Sequence, residues 1–79
     1  MADHRPICEI ALEISKSWEH VTYSARPYIS AMLSLNAITD RYIYDDAKTI
    51  IRYFLANATT WRGVDARRIK AELRSLLDD

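Results

Sequence analysis

The feature that most constrains this chain is DDAKTIIRYFLAN, residues 45–57, where Ala47, Ile50, Ile51, Phe54 and Leu55, continued by Ala58, recur at helical spacing and make one apolar stripe. Both ends carry their own signals. Asp45 or Asp46 can cap the start by accepting backbone N–H bonds, and Asn57 can take the left-handed conformation that closes the end. Lys48 and Arg52 fall four apart on the opposite, solvated side, with Tyr53 at the border. A helix with such a stripe has to be buried, so the rest of the chain must cover it.

The material for that cover is limited. A chain of 79 residues buries only about 60–65% of its extended surface on folding, so self-association as a homodimer would add stability. One glycine and two prolines leave little turn material for a many-stranded sheet. The expected fold is therefore all-α, a compact bundle of about four short helices at approximately 6–19, 27–37, 45–57 and 65–77, in a single domain spanning 1–79.

Pro6 and Pro27 each suit a first helical turn, where the missing N–H is no loss. In the first helix Ile7, Ile10, Ala11, Ile14 and Trp18 form the stripe, with Cys8 and Leu12 widening it; in the second, Ile29, Met32, Leu33 and Asn36 share a face. Glu9 and Glu13 are a like-charge pair four residues apart, unfavourable unless a basic group of the C-terminal half lies beside them. Residues 39–44, TDRYIY, read as a loop: Tyr42 and Tyr44 alternate around Ile43 as in a short strand, but no pairing strand is evident. Gly63, the single glycine, is expected at positive φ, and Asp65 at the cap of the last helix, with Val64 and Ile69 closing as a hydrophobic staple.

Charge is zero in sum but unevenly placed: residues 1–46 carry net −3 and residues 47–74 net +5. The asymmetry points to a basic surface, and overall neutrality argues against indiscriminate nucleic-acid binding. The lone Cys8 excludes an intrachain disulfide. No apolar run is long enough to span a membrane, and MADHRP lacks the apolar core of a signal peptide, so a cytoplasmic protein without membrane attachment is expected.

The chemistry-bearing residues do not assemble into a recognisable motif. Asp3, His4 and Cys8 are too few and wrongly spaced for a structural zinc site, and Cys8 with His20 lies about three helical turns apart, beyond hydrogen-bond reach. Asp40, Asp45 and Asp46 are better explained as helix caps than as a cation site. Neither a catalytic site, a metal nor a cofactor is expected. What remains is WRGVDARRIKAELR, residues 61–74. Its Trp61, Arg62, Arg67, Lys70 and Arg74, followed by Tyr42 and Tyr44, are the candidate partner-binding residues, because Trp, Tyr and Arg are enriched at interface hot spots. An ordinary solvated helix face with a core tryptophan would show the same pattern. A helix-turn-helix would place the last helix in DNA, but residues 57–64 exceed its usual turn.

Residues 51–77, carrying YFLANA, TWRG and ARRIKAEL, resemble the C-terminal part of small proteins encoded by bacteriophages of actinobacteria. The resemblance covers about a third of the chain and brings no catalytic or binding residue with it. It implies an accessory protein acting in the cytoplasm of an infected bacterium by binding a host protein, which is an argument from origin. Residues and resemblance together lead to the expectation of a non-enzymatic, protein-binding module, the alternative being a small DNA-binding regulator that uses the basic C-terminal helix.

Overall fold

A computed structural model describes residues 4–78. The elements follow in the order α1 (Ile7–Ser17), a 3-10 turn (Tyr23–Ala25), α2 (Arg26–Met32), β1 (Arg41–Tyr42), β2 (Asp45–Asp46), α3 (Ala47–Ala56) and α4 (Val64–Leu77). The chain is mostly helical, as its composition requires. One core draws on every helix: Ile7, Ile10 and Ile14 from α1, Ile29 and Met32 from α2, Ile50, Ile51 and Phe54 from α3, and Ile69, Leu73 and Leu76 from α4. These are stripe positions of the sequence; of the other residues expected on those faces, Leu12 and Leu33 are 51% and 41% exposed, and Asn36 is exposed as well.

Of the two candidate caps for α3, Asp46 does the capping, its carboxylate accepting the Thr49 N–H at 2.8 Å. Asn57 does not adopt the expected left-handed conformation; its φ is −100°, and its side-chain amide instead donates to the Tyr53 carbonyl at 2.8 Å. Thr22 Oγ1 donates to the Asn57 carbonyl at 3.1 Å, fastening the turn before α2 to the end of α3.

Helix α2 is shorter than expected because tertiary bonds capture its last turn. The N–H groups of Ile7 and Cys8, unsatisfied within α1, donate to the carbonyls of Asn36 and Leu35 at 2.9 and 2.8 Å. Leaving the helix after Met32 lets Leu35 turn inward and presents these carbonyls; Asn36, expected on the core face, is exposed. Asp40 holds the bend, its carboxylate accepting from the N–H of Asn36 at 2.9 Å and of Ala37 at 3.0 Å.

Arg41 and Tyr42, in the segment expected as a loop, pair antiparallel with Asp46 and Asp45, which the sequence placed in the first turn of the central helix and which instead form a strand ahead of α3. Two residues per strand give almost no periodicity to read. The pair holds because its base is closed by Ala47 N–H donating to the Asp40 carbonyl at 2.9 Å and because Tyr42 packs against the core.

At the start of α4 the expected cap moves by two residues. Gly63 is the N-cap, at φ 116° and ψ −176°, a region open essentially to glycine, and Asp65 lies inside the first turn. The staple does not form, since Val64 is 81% exposed. Asp65 instead favours the helix N-terminus by charge and lies 3.4 Å from Arg68.

Four side chains far apart in sequence join α1 to α4. Arg5 donates to both carboxylate oxygens of Glu72, at 2.9 and 2.7 Å, and lies 2.8 Å from Glu13, which also accepts from Arg68. The basic neighbours that the Glu9–Glu13 pair called for are thus present at Glu13. Arg68 and Arg5 hold the Glu13 carboxyl below its ordinary value of 4.5. Backbone N–H groups of Ala37 and Asn36 lower Asp40, and Thr49 lowers Asp46, from 3.8. A carboxylate with a folded pKa below its unfolded one stabilises the fold above the unfolded value, and that contribution is lost as pH falls through the folded value. The contribution of these three carboxylates to the melting temperature is therefore expected to be constant from neutrality to about pH 5 and to decline below about pH 4. Circular dichroism melts of the protein and of an Asp40→Asn/Asp46→Asn variant check this: the variant starts lower at neutral pH and declines less on acidification.

Candidate functional site

The residues singled out from sequence separate into four groups. Trp61 is a core residue. The chain leaves α3 through a turn in which Trp61 N–H donates to the Ala58 carbonyl at 3.1 Å, which directs the indole inward. There it stacks on Trp18, with centroids 5.4 Å apart and planes 11° from parallel, and meets the edge of Phe54 at 6.5 Å. With 4% of its surface exposed it cannot anchor a partner as it stands, and its place among the contact residues is withdrawn.

Lys70, expected on the solvent side of α4, reaches back instead. Its ammonium donates to the carbonyls of Ala58 and Trp61 at 2.6 and 2.7 Å and lies 5.9 Å from the Trp61 ring centroid. It closes the α3–α4 connection much as a C-cap lysine would, its stem covering the indole. Burial, with Arg74 and Arg62 nearby, pushes its amine below the ordinary lysine value.

Arg62, Arg67 and Arg74 are exposed. Among the described residues none of the three has an ion-pair partner, whereas Arg5 and Arg68 are both matched with carboxylates. With Lys70 they make a basic surface on one side of α4. Arg67 and Arg74 are seven positions apart, two turns on the same face, a rise of about 10 Å. Arg62, Arg67 and Lys70 border an open cleft of about 260 Å³ whose floor is Trp61 and Ala66. Planar guanidinium groups at this spacing suit carboxylates or phosphates, which accept two parallel N–H bonds each.

Tyr42 and Tyr44 lie elsewhere, on the hairpin before α3, whereas Arg62 follows its far end, about 15 Å away along a helix of ten residues. Tyr42 is half-buried, and Tyr44 is 93% exposed. Between them Ile43, which the sequence reading passed over as a contact, is 73% exposed at φ 57°. A β-branched residue at positive φ is strained by about 1–3 kcal/mol, and the first central position of such a two-residue turn normally takes glycine. Tyr42 and Tyr44 thus belong to the hairpin, whereas the arginines belong to the α3–α4 connection and to α4.

The other chemistry-bearing residues stay apart. Cys8 is partly buried, its thiol 3.5 Å from Asn36 Oδ1; His20 lies beyond the end of α1; Asp3 is outside the described residues. Among the described residues no three of His, Cys, Asp and Glu gather as metal ligands, and no helix is long and apolar enough to cross a membrane. No family model, curated protein or solved structure matches the chain.

Proposed function

We propose that the chain is a non-enzymatic binding module that docks on an acidic surface of a host protein in the bacterial cytoplasm through Arg62, Arg67 and Arg74. One observation carries this reading: the fold neutralises Arg5 and Arg68 with its own carboxylates and commits Lys70 to backbone carbonyls, yet leaves Arg62 at the entrance to α4 and Arg67 and Arg74 on it exposed and, among the described residues, without an ion-pair partner. Exposed arginines are favoured at interfaces because they form bidentate bonds to carboxylates. The resemblance of residues 51–77 to small phage proteins supports a bacterial host protein as the partner.

The same arginines could meet phosphates, which is the regulator reading. Two observations favour a protein partner. Residues 57–63 separate α3 from α4, more than the three or four of a helix-turn-helix, and the formal charge of the whole chain is zero.

The test is charge reversal at exposed positions. An Arg67→Glu/Arg74→Glu variant is expected to melt within a few degrees of the parent, since neither side chain has an ion-pair partner among the described residues. It is also expected to retain at least about tenfold less of the partner from host lysate, since like charges at an interface cost several kcal/mol. Equal retention by variant and parent sinks the proposal.

A further inference from the structure

A strained hairpin tip and an open groove on the same chain fit each other. The turn at Ile43 adopts a conformation that glycine would adopt freely, and it holds Ile43 and Tyr44 at 73% and 93% exposure, where they add nothing to the core. Local rules broken without gain to the fold mark places where function sets the residue. The groove, of about 380 Å³, runs between α1 and α2; Trp18, Val21 and Ile29 form its floor and Leu33, 41% exposed, one wall. Its rim carries one acid, Glu19, and one base, Arg26. The tip is flanked by one base and one acid, Arg41 and Asp45. Among the described residues Arg26 and Asp45 have no ion-pair partner within their own chain.

We infer that the occupant of the groove is the hairpin tip of a second copy, Ile43 and Tyr44 entering between α1 and α2 with Asp45 facing Arg26 and Arg41 facing Glu19. Two copies related by a twofold axis exchange tips, so that both grooves fill and the assembly closes as a dimer. The charge complementarity of rim and tip selects a second copy over an unrelated apolar partner, and a domain of this size gains from the added burial. The inference is independent of the α4 arginines.

Sedimentation equilibrium across the micromolar to millimolar range tests it. The parent is expected to associate reversibly to a dimer. Ile43→Gly relieves the strained turn, so at concentrations where both are monomeric it is expected to melt no lower than the parent, while associating at least about tenfold more weakly. Arg26→Glu and Asp45→Arg are each expected to weaken association about tenfold, and the double variant to regain most of that loss, because the pair is restored with its polarity exchanged. A parent that stays monomeric throughout, an Ile43→Gly protein that associates as strongly as the parent, or a double variant no tighter than either single one overturns the inference. So does a dimer that is lost instead on Arg67→Glu/Arg74→Glu.

Discussion

Replacing Trp61 by alanine is expected to cost about 3–5 kcal/mol and to leave little folded protein at physiological temperature. A domain of 79 residues has a total stability of roughly 4–12 kcal/mol, so one such loss removes much of it. The size follows from the site. Trp61 is stacked on Trp18 and edge-on to Phe54, Trp18 in turn meets Phe54 at 6.2 Å, and the three rings come from the end of α1, from α3 and from the α3–α4 connection. Removing the indole opens a cavity at that junction and strips the stem of Lys70 of its cover. Trp61→Phe keeps a ring in the place and is expected to cost about half as much. Urea unfolding followed by circular dichroism decides it: an alanine variant with the parent's midpoint would show that the ring is dispensable to the core.

Lys70→Met is expected to cost about 2 kcal/mol, although methionine matches the stem in length and is the more apolar residue. The substitution takes away the donor that serves the Ala58 and Trp61 carbonyls. Ala58 keeps the N–H of Trp61 as a second partner. The main loss is therefore expected at the Trp61 carbonyl, beside the indole. A surface lysine would change stability by a few tenths of a kcal/mol at most. A urea midpoint unchanged in the methionine variant would return Lys70 to the solvated face and make it available to a partner again.

Helical segments could be read from the sequence where a stripe and its cap agree, as in α3, with Ile50, Ile51 and Phe54 in phase and Asp46 at the start. In α4 the stripe was equally clear, but Asp65 was read as the cap in place of Gly63, because an aspartate and a glycine two positions apart both suit a helix start. What could not be read depends on distant partners. The end of α2 is set by N–H groups of α1, the pairing of Arg5 with Glu72 joins opposite ends of the chain, and the hairpin has too few residues for a period. The basic surface was legible as a composition, but not the division of its members. Lys70 and Arg67 are three residues apart on one helix, and only the connection before α4 decides that one turns back while the other stays open. Trp61 read equally well as core or as contact, since a tryptophan in a linker carries no periodicity to place it. Ile43 left no signal, because nothing in TDRYIY marks the residue that takes the positive φ.

The most direct test of the α4 arginine surface is capture from bacterial host lysate with the tagged protein, performed with and without nuclease and resolved by mass spectrometry. One host protein, recovered equally in both and bearing an acidic patch, is the expected result. Recovery of nucleic acid that disappears on nuclease treatment, with affinity falling steeply as salt rises, would contradict it and assign the arginines to phosphates.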